Sequence, residues 1–128
     1  MNTTTLILLI IAVFLVVYTF TKRKAGVGVR SISTSQLEEA LKSKEGKTFL
    51  DVREPGEYKS GHVPGMKNIP LSQLSRRLNE IPKGSEIYLM CRSGHRSVQA
   101  ARILKGAGYE NIINVAGGIT AWRGPVKK

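Results

Sequence analysis

A chain of 128 residues holds one modest domain with an appendage rather than two full domains. Its 20 Lys and Arg against 9 Asp and Glu give a formal charge of +11, but the basic residues are scattered and few aromatics lie among them. That pattern argues against a nucleic-acid face and reads as a solvated basic face beside an anionic membrane surface, whose field would also favour a small anionic substrate. One cysteine excludes an internal disulfide and fits a reducing compartment.

No charged side chain precedes Lys22, and Leu6 to Phe20 is apolar throughout apart from Thr19. As a helix, Thr4 to Thr21 would rise about 27 Å, close to the roughly 30 Å of a bilayer core. A cleaved secretory signal needs positive charge before the apolar run and small residues after it. Here Lys22-Arg23-Lys24 follows the run instead. The sequence therefore predicts a single transmembrane helix contacting lipid through residues 4–21. By the positive-inside rule the N-terminus is outside and the rest of the chain on the cytoplasmic side of the cell membrane. The expected divisions are an anchor over 1–21, a basic juxtamembrane linker over 22–30, and one domain over 31–128. Ala25-Gly26-Val27-Gly28-Val29 is short and permissive, so that domain is expected against the membrane.

From Arg30 onward, apolar runs of strand length alternate with helical spacing. Ser31-Ile32-Ser33 reads as an extended entry, and Ser35 with Glu38 as a capping box opening a helix that carries Leu37, Ala40 and Leu41. Thr48–Val52 is the next strand. Glu54 to Tyr58 gives one or two helical turns stopped by Ser60-Gly61. Met66 to Pro70 reads as a short strand, Leu71 to Leu78 as a helix, and Glu86–Met90 as a strand after the Lys83-Gly84 turn. A helix beginning near Arg96 or Ser97 places Ala100, Ile103, Leu104 and Ala107 on one face, with Gly108 as a left-handed cap. Asn111 to Val115 is the last strand. Strands alternating with helices imply an α/β fold with parallel pairing and helices on both faces, and ligands bind at the carboxyl ends of such strands.

Cys91 lies at one of those ends, between the apolar Ile87–Met90 and a polar loop, Arg92-Ser93-Gly94-His95-Arg96. A lone cysteine after an apolar strand is commonly an inert small hydrophobe. The loop residues are poor core material, however, and a strand–loop–helix turn gathers backbone N–H groups into an anion-binding cup. The thiolate is the form such a cup stabilises and the form that attacks, so Cys91 reads as a nucleophile.

Ser31 to Trp122 resembles a single rhodanese (thiosulfate sulfurtransferase) domain. The resemblance is carried by Asp51-Val52-Arg53-Glu54, Glu57-Tyr58, Gly61-His62-Val63-Pro64-Gly65 with Asn68-Ile69-Pro70, Cys91 to Ser97, and Gly117-Gly118 followed by Trp122. It implies a rhodanese-like three-layer fold around a mostly parallel sheet of about five strands, here preceded by the transmembrane helix. It also implies sulfur transfer; no cofactor is expected, and two histidines and one cysteine so far apart in sequence form no metal-ligand pattern. Cys91 takes sulfur from a small anionic donor, thiosulfate or a persulfide, and an external thiol, a protein acceptor or cyanide removes it. The backbone of Arg92, Ser93, Gly94, His95 and Arg96 would hold the persulfide. The side chains of Arg92 and His95 either bind the donor or are solvated, and Arg96 either steadies the anion or pairs with a carboxylate. Asp51 and Arg53, with Glu57, read as scaffold ion pairs supporting the site, His62 as a turn residue and Trp122 as core. Phosphatases that resemble this fold place five residues between Cys and Arg, whereas four separate Cys91 from Arg96, which disfavours phosphatase or arsenate reductase activity. The alternative from another class is a non-catalytic rhodanese-like binding or sensing module at the membrane.

Overall fold

Apolar runs bounded by Gly, Pro or polar clusters fold as strands here because both of their faces find helices to pack against. The computed structural model describes residues 2–26 and 29–128, with side chains described for these apart from 20–26. Helix α1 (Thr3–Gly26) comes first, then β1 (Val29–Ile32), α2 (Thr34–Ala40), β2 (Lys47–Asp51), α3 (Pro55–Ser60) and β3 (Lys67–Asn68). After them come α4 (Leu71–Leu74), a 3-10 turn (Leu78–Glu80), β4 (Glu86–Met90), α5 (His95–Gly106), β5 (Ile112–Val115) and α6 (Gly118–Ala121).

The five strands form one sheet in the order β1-β5-β4-β2-β3, with every pairing parallel. Alternate residues of the strands face two separate cores. Leu50, Val52, Ile87, Leu89 and Ile112 pack with Ala100, Ala101 and Leu104 of α5 and Leu74 of α4. Phe49, Tyr88, Met90, Ile113 and Val115 pack with Leu37 of α2, and Ile119 of α6 and Trp122 lie half-buried against them. Each fully buried leucine contributes roughly 1.5–3 kcal/mol of transfer free energy. Pairing of Asp51 with Met90 and of Leu89 with Asn114 brings the carboxyl ends of β2, β4 and β5 side by side.

Several sequence expectations shift. Helix α2 is capped by Ser33, not Ser35: Ser33 Oγ accepts from Gln36 N at 3.2 Å, and Gln36 Oε1 accepts from Ser33 N at 2.8 Å. Ser33 wins because the backbone leaves the sheet there, where Ala116 N donates to Ile32 O as the last rung. The helix expected over Leu71 to Leu78 stops at Leu74. Beyond it the N–H groups of Arg76, Arg77, Glu80 and Ile81 bond three residues back, the tighter pattern that cannot propagate far. Helix α5 begins at His95, and the short strand expected over Met66 to Pro70 contracts to β3 at Lys67–Asn68.

The linker expected over 22–30 is also shorter, since α1 runs to Gly26 and β1 starts at Val29. Its Val27 and Gly28 lie outside the described residues, as do the side chains of Lys22-Arg23-Lys24. Leu6 to Tyr18 of α1 expose their large apolar side chains. Among the described residues no helix is long and apolar enough to cross a membrane. The expected span from Thr4 to Thr21 is therefore not established by the fold: its last side chains, Phe20 and Thr21, lie outside those described.

Candidate active site

Strand β4 is buried on both faces and ends at Met90, so the next residue, Cys91, enters the sheet's carboxyl edge with only 1% of its surface exposed. The chain then turns through Arg92 and Ser93 to Gly94. This glycine caps α5 with φ +112°, a conformation that side chains resist. The turn points the Gly94 N–H back at Cys91 Sγ, 2.8 Å away. On the first turn of α5, the fully buried Ser97 places Oγ 3.4 Å from the same sulfur.

The loop is held from below by α6. Ile119 N donates to Cys91 O at 2.9 Å and Thr120 N to Arg92 O at 3.2 Å. This close approach requires glycine at 118, where a Cβ would sit 2.3 Å from Cys91 O. With those two carbonyls held by α6, the loop N–H that meets the sulfur is that of Gly94.

Two arginines complete the frame. Arg53, buried with Asp51 at the end of β2, donates through Nη2 to Asp51 Oδ2 at 2.8 Å and through Nε to Oδ1 at 3.0 Å. Its remaining donors reach Gly61 O at 2.8 Å and Glu57 O at 3.3 Å, and so tie α3 to the sheet. Glu57 in turn receives Arg96 as a bidentate pair, with Nη2 to Oε2 at 2.8 Å and Nη1 to Oε1. The Arg96 hydrogen bonds are the main cause that holds the Glu57 carboxyl down at about 2, and the same bonds push Arg96 further up. The pair thus stays charged across the physiological range, and the Arg96 guanidinium is met by a carboxylate.

The sequence-selected residues thus fall into three groups. Cys91 and Gly94 meet at the sulfur, Asp51 and Arg53 form a closed pair beneath α3, and Arg96 pairs with Glu57. The side chains of Arg92, Ser93 and His95 are exposed around the loop. His62 stacks on Tyr58 with ring centroids 3.7 Å apart and bonds Tyr58 O through Nδ1 at 2.9 Å, away from the sulfur. Trp122 is half-buried at the edge of the second core, with Nε1 donating to Pro125 O at 3.0 Å. Sequence reasoning missed Asn114. It is buried on β5 with Oδ1 against Ser97 Oγ, and the available signal was an amide inside the apolar run Ile112-Ile113-Asn114-Val115.

A family model of the rhodanese-like domain matches residues 33–125, nearly all of this sheet-and-loop unit. The chain belongs to the rhodanese-like domain family. Among its relatives, YrkF of Bacillus subtilis is 41% identical over 96 residues, which cover 75% of this chain and 52% of YrkF, so the chain spans about half the length of that relative. A sulfurtransferase of Allochromatium vinosum is 36% identical over 94 residues, covering 73% of this chain and 88% of the relative. The solved structure of a rhodanese-related protein from Thermoplasma volcanium superposes with a TM-score of 0.68 at 36% identity, covering 77% of this chain and 97% of that one. The matched residues take in β2 to β5, the loop after β4 and Cys91 at its head.

Proposed function

We propose that this rhodanese-like chain is a sulfurtransferase that carries sulfur as a persulfide on Cys91. The observation that carries the reading is the Gly94 N–H aimed at a buried Sγ from 2.8 Å, a donor already in place for negative charge on sulfur. The Cys91 thiolate attacks the outer sulfur of thiosulfate. A new S–S bond forms, the old one breaks, and sulfite leaves with the bonding pair. The charge then resides on the outer sulfur of the persulfide. Attack on that sulfur by an external thiolate, or by cyanide, returns Cys91 as thiolate and releases a new persulfide or thiocyanate. With one cysteine in the chain, the acceptor must come from outside. Arg96, neutralised by Glu57, offers no free guanidinium to a phosphate dianion, which favours a singly charged persulfide in the cup.

Intact-mass measurement of the full chain before and after thiosulfate tests this. The expected result is a gain of about one sulfur atom, ~32 Da, removed by cyanide and absent from Cys91→Ser, as a covalent intermediate requires. A folded, reduced chain that gains no mass from thiosulfate or from a low-molecular-weight persulfide would leave a binding or sensing module instead.

The same proposal places the domain on the cytoplasmic side of the cell membrane. Support comes from the sequence, where the uncharged run from Thr4 to Thr21 would rise about 27 Å as a helix and a basic cluster follows it. In cells, the chain is expected to stay with membranes through alkaline carbonate extraction. A cysteine at position 2, in Asn2→Cys combined with Cys91→Ser, is expected to react with an impermeant maleimide on intact cells. Release by carbonate, or labelling only after lysis, would refute the arrangement.

A further inference from the structure

Three groups converge on the Ser97 hydroxyl: Cys91 Sγ at 3.4 Å, Gly94 O at 2.9 Å and Asn114 Oδ1. A hydroxyl has one proton to donate. While Cys91 is a thiol, its S–H points at Ser97 Oγ and the serine proton goes to a neighbouring oxygen. Once the thiol proton is gone, a lone pair of Oγ faces an anion inside a buried site. That contact becomes favourable only if Ser97 turns its O–H to the sulfur, because a hydrogen bond to a charged group is worth more than one between neutral groups. Gly94 O tolerates the loss, since the carbonyl at a helix N-cap accepts the first intrahelical bond. Asn114 Oδ1 has no such substitute. Its amide can turn over about the terminal torsion, however, and present Nδ2–H to Oγ instead.

We propose that Asn114 is a positioning residue for the sulfur chemistry of Cys91, accepting from Ser97 in the thiol state and donating to it in the thiolate and persulfide states. Its turnover aims the single Ser97 proton at sulfur. The inference rests on Cys91 acting as the nucleophile, and it explains why an amide is buried in β5 where the rest of the strand is aliphatic. The charged groups nearby are otherwise engaged: Arg96 with Glu57, and Asp51 with Arg53. Arg92 and His95 are exposed, and among the described residues no charged side chain hydrogen-bonds to Ser97 or Asn114.

The test is the pH dependence of Cys91 alkylation by iodoacetamide in the full chain, for wild type, Asn114→Val, Ser97→Ala and the double variant. Asn114→Val is expected to raise the midpoint and slow alkylation at neutral pH, each by less than Ser97→Ala does, because the hydroxyl still reaches the sulfur and loses only the amide that polarises it. In the Ser97→Ala background it is expected to add less than twofold, because the amide acts through the hydroxyl. An unmoved midpoint in folded Asn114→Val, or an equal further slowing in the double variant, would overturn the proposal. If Asn114→Val does not fold, the wild type supplies the decision. The Asn114 side-chain amide resonances are expected to shift through the Cys91 midpoint, and resonances flat across that range would overturn it. Alkylation needs no sulfur donor. A chain that ionises Cys91 but takes no sulfur from thiosulfate would therefore remove the sulfurtransferase reading without deciding this one.

Discussion

Replacing Gly118 with alanine is expected to cost the domain about 3 kcal/mol or more and to abolish persulfide formation on Cys91. The added Cβ would lie 2.3 Å from Cys91 O, 2.6 Å from Arg92 O and 2.7 Å from Arg92 C. All three atoms are backbone, so no flexible side-chain end can give way. Overpacking of this kind costs typically 1–3 kcal/mol, and the φ of +56° adds about 1–2 kcal/mol for a residue with a Cβ. The functional loss follows from the same contact. Cys91 O and Arg92 O are the acceptors for Ile119 N and Thr120 N, and pushing them off α6 rotates the loop that aims Gly94 N at the sulfur. A shift of about 1 Å in a positioned group is enough to cost roughly 100-fold in rate. Urea unfolding followed by circular dichroism, beside the mass assay with thiosulfate, measures both effects. Gly56→Ala is the control, because a Cβ there meets nothing within 4 Å. Wild-type stability and persulfide yield in Gly118→Ala would show that α6 does not hold the loop.

The parts of this architecture that were legible in the sequence are those written in local patterns. Strand β4 and the helix that follows it could be read because an apolar run, a glycine-bearing polar loop and helical spacing lie in immediate succession. Gly108 likewise announces the end of α5, with φ +94° after the last turn. Errors arose where two local signals competed. Ser33-x-x-Gln36 and Ser35-x-x-Glu38 are both capping boxes in sequence, and only the exit of β1 from the sheet decides between them. The helix expected after Leu71 has adequate spacing as far as Leu78, but the tertiary course of the chain tightens it into 3-10 turns. At the site, the loop was visible and its supports were not. Glu57 and Arg96 lie 39 positions apart, and Ser97 and Asn114 lie 17 apart. Pairing across such separations is set by the order of the strands, and no window along the chain displays it.

The buried Asp51–Arg53 pair carries the other large expected effect. Asp51 is fully buried and Arg53 is 5% exposed, so each charge is removed from water and compensated chiefly by the other. Arg53→Met keeps the length and apolar stem of the side chain but leaves the Asp51 carboxylate without its guanidinium. Breaking a buried pair in this way costs about 3–5 kcal/mol, most of it the penalty of the charge left behind. The double variant Asp51→Asn with Arg53→Met removes both charges. It is expected to be more stable than Arg53→Met alone, a non-additivity of about 1–3 kcal/mol in urea unfolding. If the double variant is no better, the cost lies in the contacts from Arg53 to Gly61 O and Glu57 O rather than in the pair. Those contacts carry the second consequence. Arg53 anchors α3, α3 presents Glu57, and Glu57 fixes Arg96 on the sulfur loop. Where the double variant recovers stability, its persulfide yield is still expected to fall, because both charges can be dispensed with for folding while α3 loses the donor that sets its position.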